Sequence, residues 1–149
     1  MTIRLDTAAR AAPVLNAAAR RADGNNDGRL TTREIHAARQ ANGTAATKAL
    51  LEYHAQHRGL VRNDPELPQA EKSRAMRFMD VEAIDWNTRQ AQVQLGRIDS
   101  YRGNARRGIG PNTADGVVTD AEIRNYGRTG GKLQMEARPF ATFVSTFEP

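Results

Sequence analysis

The chain has 149 residues, 39% of them hydrophobic, and alanine supplies 24 of that apolar set. The remaining larger side chains suffice for one modest core, too small for a large enzyme barrel or a doubly wound sheet. The absence of cysteine excludes disulfides, thiolate metal sites, iron–sulfur clusters and a cysteine nucleophile. The net charge of +5 reflects 22 basic against 17 acidic residues.

Nineteen of the basic residues are arginine, scattered except for the group Arg102, Arg106 and Arg107. Arginine forks suit carboxylates and phosphates, but scatter of this kind reads first as a solvated surface. No apolar run reaches the roughly 18 residues of a membrane span. Arg4 and Asp6 interrupt any apolar h-region, so no Sec signal peptide is expected. A cytoplasmic location and export by another route both stay open.

Alanine enrichment and few β-branched residues predict an all-α fold. Pro13 suits a first helical position and opens a helix to Ala22. A polar loop follows from Asp23. Thr31 or Thr32 caps a second helix that fades near Asn42 and Gly43. Thr44 caps a third, with Leu50, Leu51 and Tyr53 as core candidates and Gly59 as its stop. Gly59 to Pro68 reads as a loop. A long helix is expected from Gln69, with Met76, Met79, Ala83, Trp86 and Val93 forming a core stripe beside Ile84, Leu95 and Ile98. After a glycine-rich loop from Gly103 to Gly116, a short helix fits Asp120 to Tyr126. Beyond Pro139, the residues Phe140, Phe143, Val144 and Phe147 repeat at helical spacing and should pack on the chain.

One segment carries chemistry. Residues 23 to 34, Asp-Gly-Asn-Asn-Asp-Gly-Arg-Leu-Thr-Thr-Arg-Glu, fit the pattern D-x-[DN]-x-[DN]-G-x5-E at every specified position. Calcium takes about six to eight oxygens, and alternate residues of a tight loop point inward to supply them. Asp23, Asn25 and Asp27 would offer side-chain oxygens. Arg29 would offer its carbonyl, Thr31 a direct or water-mediated contact, and Glu34 both carboxylate oxygens. Gly28 permits the sharp turn. These twelve residues, flanked by helical segments, resemble the calcium loop of the EF-hand superfamily, and the cofactor implied is Ca2+.

EF-hands usually pair. Asp115-Gly-Val-Val-Thr-Asp-Ala-Glu-Ile123 repeats the back half of the first loop, and both read D-G-x-apolar-T-x-x-E-I. The resemblance implies a short β-bridge between the loops, joining Leu30 to Val118. In a twelve-residue frame Pro111 would take the first ligand position, where it has no side-chain oxygen. Leu95, Ile98 and Asp99 instead resemble the end of an entering helix, so an expanded loop would run from Asp99 to Glu122. Its candidate metal residues are Asp99, Asp115, Val117, Thr119 and Glu122, the alternative being a structural partner without metal.

The expected organisation is a single domain over 1–149. Its first hand spans about 13–42, its middle helices about 44–98, its second, atypical hand about 90–127, and its C-terminal amphipathic segment 132–149. Leu60 to Glu71 could hold a degenerate hand, but Pro65 and Pro68 replace the ligand chemistry. His54 and His57, with Glu52 nearby, lack a third zinc ligand. No P-loop, dinucleotide fingerprint or nucleophile elbow is present. The function expected is therefore non-catalytic calcium binding, with the ion stabilising the fold or serving a modest-affinity sensor. The alternative is a basic module for an anionic partner, nucleic acid or acidic protein, with calcium as a structural element. A protein target ranks above nucleic acid as partner.

Overall fold

The computed structural model describes residues 1–41, 45–134 and 137–147. The chain is mostly helical, with two small antiparallel sheets. The elements run β1 (Thr2–Arg4), α1 (Leu5–Ala22), β2 (Arg29–Thr31), α2 (Thr32–Ala41), α3 (Ala45–Arg62), α4 (Gln69–Arg77), β3 (Phe78–Asp80), α5 (Val81–Asp99), β4 (Val117–Thr119), α6 (Asp120–Gly127) and α7 (Arg138–Thr146). They form two compact units, one of Ala12–Asn87 and one of Met1–Ala11 with Thr88–Pro149. No helix among the described residues is long and apolar enough to cross a membrane.

In the unit of Ala12–Asn87, β2 pairs antiparallel with β3, placing Leu30 opposite Met79. The Val81 N–H extends the contact to the Gly28 carbonyl at 2.9 Å. Leu15, Leu30, Ile35, Leu50, Tyr53 and Ile84 are fully buried. Three expectations fail here. First, α1 begins at Leu5 and runs through Pro13, because the alanine-rich turns before it are helical enough to absorb one missing N–H. Second, α3 passes Gly59 and ends at Arg62; Val61 beyond the glycine is buried, and its packing offsets the roughly 1 kcal/mol a helical glycine costs. Third, the long helix from Gln69 is interrupted. Phe78 is extended (φ −156°, ψ 165°), because β3 finds its hydrogen bonds across the sheet in β2. The expected cap at Thr44 lies outside the described residues.

The α5 stripe also needs correction. Trp86 and Val93 are 62% and 50% exposed, whereas Ile84, Thr88, Ala91, Leu95 and Ile98 are buried. The buried set has the same three-and-four spacing, rotated to the neighbouring helix face. Periodicity alone gave two overlapping stripes, and the larger side chains drew attention to the wrong one.

His54 on α3 is 3% exposed. Burial, then the nearby Arg58, His57 and His36 charges, push its pKa from the usual 6.5 down to about 4. The imidazole is thus neutral in the fold and gains a proton on unfolding between those two values. Its contribution to stability is present above about pH 6.5 and is lost as pH falls towards 4. Thermal melts of the wild type should weaken across that window, and His54→Gln should flatten the dependence; an unchanged profile would show that His54 does not govern it.

In the other unit, β1 pairs antiparallel with β4, placing Ile3 opposite Val118. The Leu5 N–H donates to the Gly116 carbonyl at 2.8 Å. Leu30 and Val118 therefore sit in separate sheets, and the expected bridge between the two loops is absent. Each loop strand is satisfied instead by the short strand that launches a long helix: β3 before α5 serves the first loop, and β1 before α1 serves the second. Helix α7 packs against β1. Phe140, Phe143 and Val144 are buried as expected, while Phe147 is half-buried and meets Phe143 edge-on.

Candidate metal centre

The first loop leaves α1 at Ala22 and turns back into β2. Asp23 is 7% exposed; its Oδ2 accepts the Gly28 N–H at 2.9 Å, while its buried Oδ1 has no hydrogen-bond partner. Asp27 Oδ1 accepts the Arg29 N–H at 2.9 Å, and Asn25 Oδ1 accepts the Asp27 N–H at 3.3 Å. The Arg29 N–H holds the Asp27 carboxyl below its ordinary range. Gly28 adopts φ +78°, a conformation costly with a Cβ.

The second loop leaves α5 at Asp99 and rejoins the same local geometry at Asp115. Asp99 is 5% exposed; its Oδ2 accepts the Gly116 N–H at 3.0 Å, and its buried Oδ1 has no partner. Asp115 Oδ1 accepts the Val117 N–H at 3.0 Å. Gly116 adopts φ +81°. Asp99 thus stands where Asp23 stands, across an interval twelve residues longer.

The exits match as well. Glu34 Oε1 accepts the Thr31 N–H and hydroxyl at 3.3 and 3.2 Å, and the Glu34 N–H donates back to the Thr31 hydroxyl at 3.1 Å. Glu122 and Thr119 repeat the pattern at 3.1, 3.3 and 3.2 Å. These are capping boxes, each satisfying helix N–H groups that would otherwise be orphaned. They explain the T-x-x-E string in both loops and tie both threonine hydroxyls to the helix start. Glu122 Oε2 is buried without a partner.

Two carboxylate trios result, Asp23–Asp27–Glu34 and Asp99–Asp115–Glu122, with the ligand atoms of each within 4.8 Å of one another. No basic side chain among the described residues lies within ion-pair distance of either trio. Like charges gathered this closely repel one another. That clustering, with a buried bare oxygen in each trio, fits a bound cation with oxygen preference. Arg29 and Val117 hold corresponding strand positions in the two loops, where their carbonyls would serve.

The third ligand position differs. In the first loop the Asn25 side chain caps the Asp27 N–H; in the second, the Thr113 carbonyl takes the Asp115 N–H at 2.9 Å. The stretch from Leu60 to Glu71 contains no such acidic trio. Two residues that sequence reading missed hold the second loop together. Asn112 Nδ2 donates to the Ile98 and Glu122 carbonyls at 2.7 and 3.2 Å, and Asn125 Nδ2 donates to Asn112 Oδ1 at 2.7 Å. An asparagine in a polar loop and another on a short helix carry no pattern that would mark them. Exposed Trp86, the sole tryptophan, lines a cleft with Asp27, Gly28 and Arg29. Compared with protein-family models, curated proteins and solved structures, the chain matches none.

Proposed function

We propose that the chain is a non-catalytic calcium-binding protein with two EF-hand-type loops, the second expanded between its first ligand and the rest. The observation that carries this reading is the pair of nearly fully buried carboxylates, Asp23 and Asp99, each with one oxygen unpartnered and each clustered with two further carboxylates. Asp23, Asn25, Asp27, the Arg29 carbonyl and Glu34 would hold the first ion. Asp99, Asp115, the Val117 carbonyl and Glu122 would hold the second. Bound calcium would offset two of the three negative charges of each trio and fix the turn to the helix that follows. The pairing of each loop strand with a buried neighbour favours a role in locking the fold over that of a switch that opens.

Oxygen-rich loops with a flexible shell suit calcium better than magnesium, which demands a near-octahedral shell at about 2.0–2.1 Å. Calorimetric titration of the metal-stripped chain should give two equivalents of calcium, unequal in affinity, and little heat with magnesium. Trp86 emission should change with the first-loop ion alone. A chain that takes up no calcium at millimolar concentration would end this reading.

A further inference from the structure

The twelve additional residues of the second loop form an ordered structure of their own. Asn104 and Ile109 exchange backbone hydrogen bonds at 2.9 and 3.0 Å, and the Asn104 side chain caps a 3-10 turn over Ala105–Arg107. Gly103, at φ +85°, lies so close to the Ile109 and Gly110 backbone that a Cβ would overlap it. Asn125 ties the far side to the Gly110 carbonyl at 3.0 Å, and Tyr101 packs edge-on against Tyr126.

What this structure presents outward is arginine. Arg102, Arg106 and Arg107 are exposed on it, and Arg124 and Arg128 are exposed on and just after α6. Arg107 Nη1 donates to the Arg128 carbonyl at 2.7 Å, which brings the insertion's positive charge against the end of α6. None of the five has a carboxylate within ion-pair distance among the described residues. The acids of this region are spoken for: Asp99, Asp115 and Glu122 form the trio, and Asp120 meets the Met1 amino group at 2.6 Å.

We propose that this arginine-bearing insertion is a docking surface for the phosphate backbone of nucleic acid, and that metal in the second loop strengthens it. Arginine forks match phosphate oxygens in pairs, and the ordered backbone lowers the entropy cost of engaging them. The tip Ala105–Gly108 exposes no large apolar side chain, and Ile109 is half-buried. Nothing there would insert into a bilayer, and no exposed aromatic would stack on a base. An acidic protein partner would normally engage an apolar or aromatic anchor, which is missing too. A polar, positive face without anchors fits backbone contact independent of sequence. The metal dependence, though not the surface, rests on the calcium reading. Asn112 bridges the residue before Asp99 to the residue that closes the trio, so an ion there steadies the root of the insertion and weakens the negative field beneath it.

The test is fluorescence anisotropy of a labelled duplex of about 20 base pairs with the full chain, in calcium and in EGTA, across about 50–200 mM salt. The affinity in calcium should be about tenfold tighter, with a log–log salt slope of about −3 to −4, or three to four phosphate contacts. Arg106→Ala with Arg107→Ala should reduce the slope by about 2 while leaving the melting temperature and calcium stoichiometry intact. Asp99→Asn should bind duplex as the wild type does in EGTA. A double variant that binds like the wild type overturns the surface. So does preferential binding to phosphatidylserine vesicles or to poly-glutamate. If the chain binds duplex through these arginines but takes up no calcium, the surface stands and the metal-binding reading falls with its coupling.

Discussion

Glu34→Ala should remove one of two calcium equivalents and with it the Trp86 response, while Asp99→Ala should remove the other and leave Trp86 reporting normally. The argument is one of ligand geometry. Glu34 and Glu122 close their loops from the first turn of a helix, fixed there by the reciprocal bonds to Thr31 and Thr119. Alanine deletes a ligand and half of a capping box together. Asp23 and Asp99 open the loops with buried carboxylates whose second oxygen already organises the glycine turn, so nothing nearby can replace them. Arg29→Ala should leave the first site nearly intact, since only its carbonyl serves. The second ion should bind more weakly, because no side-chain amide or carboxylate corresponds to Asn25 and because three arginines, Arg102, Arg106 and Arg107, lie within its loop. Two full equivalents retained by Asp99→Ala would show that the expanded loop is assigned wrongly.

Phe140→Ala should be the most damaging single substitution outside the loops. The ring is fully buried, and removing such a side chain costs about 3–5 kcal/mol. At about 2–4 °C per kcal/mol for a chain of this size, the melting temperature should fall by roughly 10 °C. Phe147→Ala, at a half-buried position, should cost far less. Because α7 packs on β1, and β1 carries the strand of the second loop, Phe140→Ala should also weaken the second calcium site more than the first. Equal weakening of both sites, measured by calorimetry, would break that connection.

Much of the candidate site was legible because its chemistry is local. Asp23 to Glu34 is a continuous string with a liganding, turning or capping reason at nearly every position. Asp99 was found by asking what could stand in for Pro111, a question of side-chain oxygen. Strand pairing was not legible. An apolar residue at Leu30 or Val118 announces that a neighbour exists, not which one. The true partners, Thr2–Arg4 and Phe78–Asp80, are three residues long and abut strong helical sequence, so propensity concealed them. The exposed face of α5 was misread for a related reason: two stripes fit one helical period, and only tertiary packing chooses between them. The Asn112–Asn125 pair is a contact across thirteen positions that take in β4 and most of α6, which no local pattern encodes.

The pairing of β1 with β4 joins the second residue of the chain to the one at position 119. Synthesis therefore delivers the two halves of that sheet more than a hundred residues apart. The unit of residues 12–87 is contiguous and can form as soon as it emerges. Ile3 must wait, its partner strand not yet made, while α1 has already grown from it. So distant a closure is slow and passes through species with bare apolar surface. Refolding should accordingly show a fast phase seen by Trp86 and a slower one seen by probes near Val118. An amino-terminal fusion that encumbers β1 would burden the second loop, whose strand pairs with it.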